Sequence, residues 1–152
     1  MRLSPFLAAV ALCLAADDPD AKRLPDGPGK DAIIHVCFEC HDSGRFRAQR
    51  VDRDEWSDKV ADMVDRGAKA SEGEIGAVID YLARNFGPDS KMQVNTAPMV
   101  ELKAILGITA KQAQAIVDYR EANGDFKQWQ DLEKVPGIDA QKIEEKKDLL
   151  AF

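Results

Sequence analysis

Two cysteines and a histidine, Cys37, Cys40 and His41, lie within five consecutive residues. On a helix, this spacing places both thiols on adjoining positions of one face, where they can reach both vinyl groups of one porphyrin while His41 ligates the iron. Cys-x-x-Cys-His is the attachment signal of a c-type haem. The alternative is a redox dithiol, which normally accompanies a strand–helix–strand pattern that the sequence lacks. The sequence therefore predicts one covalently attached haem c with His41 as an axial ligand.

The second axial ligand is predicted to be Met63, because it lies within the apolar stripe of a predicted helix and is the only methionine of the first helical unit. Methionine opposite histidine is the usual pair in electron-transfer haems. The alternatives are Met92, just after that unit, and Met99, at the start of the second unit. His35 is a weaker alternative, since it precedes Cys37 by two residues on the same helix and is expected to have a structural role.

Residues 1–16 are predicted to be a cleaved secretory signal peptide. Arg2 precedes an apolar run that ends at Ala16 and is too short to span a bilayer. Export to the periplasm agrees with haem attachment, which takes place outside the cytoplasm, and no membrane span is expected after cleavage. Cys13 makes a lipoprotein the alternative, although Leu12 is larger than the residue that lipoprotein processing prefers.

The remaining chain is predicted to be all-α and to form two small domains, because no strand pattern stands out within its 152 residues. Residues 17–29 contain three prolines and two glycines and are predicted to be a flexible lead-in. Residues 30–90 are predicted to form the haem domain and residues 91–152 a second helical domain. The formal net charge of −6 argues against broad, charge-driven binding of nucleic acid.

The first domain resembles small class I c-type cytochromes over residues 30–87. Beyond the haem-attachment motif, the residues that carry this resemblance are Trp56, Met63, Gly67, Ala68, Glu74, Ile75, Tyr81 and Leu82. The resemblance implies that the methionine before Gly67-Ala68 is the distal ligand, which supports Met63. It also implies that Trp56 and Tyr81 pack around the haem rather than take part in catalysis. Ser71 and Glu74 form a capping-box pattern that predicts the start of the last helix of this domain.

The second domain contains a near-repeat, in which Gly107-Ile108 and Gly137-Ile138 each join a short helix to a longer one. It resembles the tandem helix-hairpin-helix domain of the competence DNA-receptor family. The residues that carry this resemblance are Asn95, Thr96, Ala97, Leu102, Gly107, Ile108, Ala113, Ile116, Tyr119, Arg120, Asn123, Gly124, Phe126, Asp131, Leu132, Val135, Gly137, Ile138 and Ile143.

In that family, backbone amides at each hairpin grip a DNA phosphate, so the resemblance implies a set of candidate contacts with DNA or another partner. These are Gly107, Ile108, Lys111, Gly137, Ile138 and Lys142. The sequence departs from the family pattern where the second glycine of each hairpin is replaced, by Thr109 and by Asp139. Both are predicted to cap the following helix and to occupy the amides that a phosphate would engage. Residues 95–152 also carry eight Lys and Arg against ten Asp and Glu, which disfavours DNA.

The sequence therefore predicts a periplasmic electron carrier that is not an enzyme by itself, with a subunit of a larger oxidoreductase as the alternative form. Its haem would exchange single electrons with a redox protein partner, and its hairpin domain would serve for docking. The main alternative is a haem-containing DNA-binding or DNA-uptake protein of the helix-hairpin-helix class. A third class, a haem sensor or a small peroxidase-like enzyme, would need an open distal site.

Overall fold

The computed structural model describes residues 18–152, so the predicted signal peptide over residues 1–16 lies outside the described residues. The prediction of an all-α chain is confirmed. The α-helices are α1 (Pro19–Lys22), α2 (Lys30–Cys37), α3 (Gly44–Arg47), α4 (Arg53–Asp65), α5 (Glu72–Asn85), α6 (Met99–Leu106), α7 (Ala110–Asn123) and α8 (Ala140–Lys146). Two 3₁₀ helices, Trp129–Lys134 and Lys147–Leu149, flank α8. Two-residue strands β1 (Met92–Gln93) and β2 (Leu150–Ala151) complete the described elements.

Short polar side chains fix where the longer helices begin. The Asp52 carboxylate accepts a hydrogen bond from the backbone N–H of Glu55 at 2.9 Å and caps α4. At the start of α5, the predicted capping box is present, since Ser71 Oγ accepts from the N–H of Glu74 at 3.3 Å and Glu74 Oε2 accepts from the N–H of Ser71 at 2.9 Å. Each bond satisfies an amide that the first turn of a helix leaves without a partner.

A first hydrophobic core holds α2, α4 and α5 together. Its buried residues are Leu24, Ile33, Val36, Phe46, Trp56, Val60, Val78, Ile79, Tyr81, Leu82 and Phe86. Trp56 Nε1 donates to the carbonyl of Phe86 at 3.2 Å, and the Tyr81 hydroxyl donates to the carbonyl of Pro25 at 2.7 Å. Because Leu24 is buried and α1 is helical, part of the segment predicted as a flexible lead-in packs against this core.

A second hydrophobic core is built from residues 92–150. Its buried members are Met92, Val94, Ala97, Leu102, Leu106, Ile108, Ala113, Ile116, Phe126, Leu132, Val135, Ile143 and Leu150. Strands β1 and β2 pair in parallel, with Met92 opposite Leu150 and Gln93 opposite Ala151. This short strand pair joins the C-terminal end of the chain to the segment that follows the first core.

A buried ion cluster joins the two cores. Glu101 on α6 is 1% exposed, and its two carboxylate oxygens accept from Arg47 Nε and from Arg50 Nη2, each at 2.8 Å. Arg47, on α3, is also 1% exposed and donates to the carbonyl of Arg23 at 3.0 Å. Buried charges persist only when they are paired, so this cluster holds α3 against α6. Within residues 18–152, no helix is both long enough and apolar enough to cross a bilayer.

Candidate functional site

The residues predicted to bind haem meet at one cavity of the first unit. Cys37, Cys40, His41 and Met63 all line a cavity of about 540 Å³ between α2, α3 and α4. The same four residues line a second cavity of about 290 Å³. Apolar walls come from Phe46, Trp56, Val60 and Leu82, and cationic side chains at the edge come from Arg45, Lys59 and Arg66. Residues that are up to 26 positions apart in sequence, Cys37 and Met63, are thus brought to one site.

The two thiols are free, with Cys37 half-buried at the end of α2 and Cys40 exposed. Burial raises the pKa of the Cys37 thiol to about 11, and the neighbouring Cys40 adds to the rise. A thiol with so high a pKa is protonated at neutral pH and is a poor nucleophile for disulfide exchange. This environment argues against a catalytic redox dithiol.

The His41 ring is oriented by its own turn. Nδ1 lies 2.9 Å from the carbonyl oxygen of Asp42, which can only accept, so Nδ1 carries the proton and Nε2 is left as the potential ligand. Met63 is 39% exposed on α4 and borders both cavities. The donor set fits a tethered haem better than a bare ion, because residues 18–152 hold no group of three His, Cys, Asp or Glu placed to bind a metal.

The alternative axial ligands lie elsewhere. Met92 is completely buried in the second core, and Met99 packs against that core. His35 points to Glu74 on α5, with its Nδ1 2.6 Å from Glu74 Oε1. Hydrogen bonds from Ser71, followed by the contact with His35, lower the pKa of Glu74 to about 2.

The hairpin residues form two exposed turns in the second unit. Gly107 ends α6 at φ +66°, a left-handed conformation that favours glycine, and Gly137 has φ +81°. Thr109 caps α7, since its Oγ1 accepts from the N–H of Gln112 at 3.3 Å. Asp139 caps α8 by accepting from the N–H groups of Gln141 at 3.1 Å and Lys142 at 3.5 Å. Both cap residues therefore engage the amides that the sequence predicted they would engage.

The two turns lie side by side. Gln112 Nε2, on α7 after the first turn, donates to the carbonyl oxygen of Gly137 in the second turn at 2.8 Å. Lys111 and Lys142 follow the respective turns and are exposed. Within residues 18–152, neither of these two ammonium groups has an ion-pair partner.

Two structural residues escaped sequence reasoning: Glu101 and Gln112. Glu101 lies 54 positions from Arg47, so no local pattern links them. The one sequence signal for Glu101 is its position directly before Leu102, which the hairpin pattern places in the core. Gln112 had a local signal, because Thr109 and Gln112 have the spacing of a capping box, but its bond to Gly137 crosses 25 positions.

Comparisons with known proteins match the second unit. A family model described as a helix-hairpin-helix motif matches residues 88–151. An uncharacterized protein of Haemophilus influenzae is 41% identical over 63 residues, which cover 41% of this chain and 56% of that protein. ComE operon protein 1 of Bacillus subtilis is 40% identical over 58 residues, covering 38% of this chain and 28% of that protein. No solved structure matches.

A further relative is the human endonuclease/exonuclease/phosphatase family domain-containing protein 1, which is 42% identical over 57 residues. These residues cover 38% of this chain and 10% of that protein. The chain thus spans between about a tenth and just over half of the length of these relatives. Each of these alignments covers about two fifths of this chain.

The prediction that the chain functions as a cytochrome c-type electron carrier is wrong. The helix-hairpin-helix match and the ComE operon relative point to the DNA-binding alternative. Of the two resemblances, only the one to the competence DNA-receptor family is supported, and the expected redox protein partner has no support. The error arose because the five residues from Cys37 to His41 indicate only the local chemistry of haem attachment. They do not specify the function of the whole chain.

Proposed function

We propose that this chain is an exported DNA-binding or DNA-uptake protein that contacts duplex DNA through its two hairpin turns. In this proposal it is a binding protein and not an enzyme. The observation that carries it is the bond from Gln112 to Gly137, because it sets two exposed, glycine-containing turns next to each other on one surface. The match of residues 88–151 to the helix-hairpin-helix motif supports the same role for these turns.

The chemistry of such a contact is electrostatic. Gly107 and Gly137 are exposed and leave no side chain over the backbone of each turn, and the ammonium groups of Lys111 and Lys142, which follow the turns, add positive charge to the same surface. Contacts of this kind bind phosphates without reading bases and release counterions, so affinity falls as salt rises. The acidic remainder of the unit keeps that affinity moderate.

The test is binding of a labelled duplex by the full chain, measured by fluorescence anisotropy between about 50 and 200 mM salt. Replacing both Lys111 and Lys142 with alanine is expected to weaken binding about fivefold at low salt, because two exposed charges near phosphates are lost. It should also reduce the slope of log K against log salt by about two.

The matched control for that experiment is the Lys69→Ala, Lys91→Ala double variant, which removes the same charge from exposed positions away from the turns. It should bind nearly as well as the unchanged chain. Absence of duplex binding at low salt, or equal weakening in both double variants, would contradict the proposal.

The cavity of the first unit supports a second component of the proposal, a covalently attached haem c. Cys37 and Cys40 would tether it, and His41 and Met63 would supply ligands to its iron. When bound, the group supplies a redox-sensitive iron centre. The chain's own residues would orient it through the Asp42–His41 contact, and the buried Trp56 would form part of the apolar wall around it.

Haem attachment has its own measurement. Intact mass spectrometry of the chain, exported by a host with haem-attachment machinery, is expected to show the added mass of one haem. The Cys37→Ala, Cys40→Ala double variant should lack that mass, whereas Met92→Leu, a change in the second core, should retain it. An unmodified mass for the unchanged chain would rule out the covalent cofactor without affecting the DNA proposal.

A further inference from the structure

The side-chain amide of Gln112 makes hydrogen bonds at both of its ends. Its Oε1 accepts from the N–H and the Oγ1 hydroxyl of Thr109, each at 2.9 Å, within the first hairpin. Its Nε2 donates to the carbonyl oxygen of Gly137, at 2.8 Å, in the second hairpin. One side chain thus connects the cap of one turn with the backbone of the other.

Of glutamine and glutamate, the two residues that suit this capping-box position, only glutamine can bond to both turns. Glutamate serves equally well at this capping-box position, because the cap needs only an acceptor. However, a carboxylate has no hydrogen to donate to Gly137, and its oxygen would face the carbonyl oxygen of that residue. The presence of glutamine is therefore explained by the second turn and not by the cap of α7.

The connection lies at the edge of the second core rather than within it. Ile108 and Val135 are buried near the two turns, and Ile143 anchors α8, so apolar packing alone holds the two hairpins in one unit. Gln112 is only partly buried, and Gly137 is exposed. The bond between them is thus suited to fixing the relative position of two surface turns whose overall fold is already determined by the core.

We infer that Gln112 is a positioning residue that holds the two DNA-facing turns at a fixed separation. This inference rests on the proposed function of the turns. Two contacts held in a fixed arrangement bind jointly with less loss of conformational freedom than two that move independently. Loosening this link is therefore expected to weaken DNA binding while leaving the fold intact.

The experiment compares Gln112→Glu with Gln114→Glu in the full chain. Gln114 lies on the same helix, is exposed and donates its Nε2 hydrogen to Asp118 Oδ1 at 2.6 Å, so its variant has the same charge change at a side chain that bonds to neither turn. A third variant, Gln112→Met, removes both the donor to Gly137 and the acceptor for Thr109 without adding charge. Two readouts are used: amide hydrogen exchange at Ile138 without DNA, and duplex affinity at low salt.

The Ile138 amide is a suitable reporter because it donates to the carbonyl of Val135 at 3.2 Å, within the second turn. Both Gln112 variants are expected to speed its exchange by about threefold or more, because the turn opens more often without the link. Both should weaken duplex binding by about threefold, and Gln114→Glu should change neither quantity. The thermal midpoint of Gln112→Glu should stay within about 2 °C of that of the unchanged chain, because its carboxylate can still accept at the cap of α7.

The outcomes separate the link from the proposed function. If the unchanged chain binds no duplex but both Gln112 variants exchange faster, the link is real and the DNA proposal fails. Unchanged exchange at Ile138 in both variants would overturn the link. Faster exchange with full affinity would overturn the claim that the link serves DNA binding, as would a loss seen with Gln112→Glu and not with Gln112→Met.

Discussion

Replacing Glu101 with alanine is expected to lower the free energy of unfolding by about 3–5 kcal/mol. The carboxylate is buried between Arg47 Nε and Arg50 Nη2, at 2.8 Å from each. Its removal leaves Arg47, whose side chain is 1% exposed, as a buried cation without a counter-ion. The remaining contacts of Arg47, with the carbonyl of Arg23 and the hydroxyl of Thr96, are with neutral groups and cannot neutralise that charge. Urea denaturation monitored by circular dichroism measures the change.

The matched control is Glu133→Ala, which removes an exposed carboxylate from the 3₁₀ helix Trp129–Lys134. It should change the stability by no more than about 0.5 kcal/mol. A loss below about 1 kcal/mol in the Glu101 variant would show that water reaches the two guanidinium groups. Because the ion cluster joins the two cores, we also expect one cooperative transition for the unchanged chain and two separate ones after the substitution.

Local features of this fold were predictable because their causes are local. The starts of α5, α7 and α8 follow from a short polar side chain and the amides within three residues of it, so Ser71, Thr109 and Asp139 could be identified as caps. The Gly-Ile turns are of the same kind, since glycine at positive φ ends α6 at Gly107. The start of α1 also had a signal that was overlooked: Asp18 caps it and Pro19 occupies its first position.

Contacts between distant parts of the chain could not be predicted. Glu101 has the sequence context of a solvated helix residue, and only the packing of α3 against α6 turns it into a buried partner of two arginines. Gln112 likewise reaches Gly137 only because the tertiary fold brings the two turns together. The four predicted haem residues do meet at one cavity: Cys37 ends α2, Cys40 and His41 lie in the turn after it, and Met63 lies on α4, which packs on the same core.

The functional error has a comparable origin. Cys37, Cys40 and His41 dominated the prediction because their chemistry is specific, whereas the acidic charge of residues 95–152 weighed against DNA. Net charge is a poor guide to a contact that, as proposed, is confined to two turns. The distribution of charge around the turns matters more, and there Asp139 stands out as an acid placed where a phosphate would approach.

Replacing Asp139 with asparagine is therefore expected to strengthen duplex binding about tenfold at low salt. Asparagine caps helices as well as aspartate does, so the bond to the N–H of Gln141, 3.1 Å in the unchanged chain, can be kept while the negative charge is lost. The charge lies within the second turn, beside the unpaired ammonium group of Lys142, and repels any phosphate that the turn engages. Fluorescence anisotropy with the same duplex measures the gain.

The gain should shrink as salt rises, because a repulsion between exposed charges is screened within about 8–10 Å at physiological salt. Asp148→Asn is the matched control, since it removes one exposed carboxylate from the same unit at the 3₁₀ helix Lys147–Leu149, away from both turns. If both variants bind more tightly by the same factor, the affinity depends only on the overall charge of the unit. The second turn then does not contact a DNA phosphate. A gain confined to Asp139→Asn instead places a phosphate at that turn and identifies the aspartate as the residue that limits the chain's affinity for DNA.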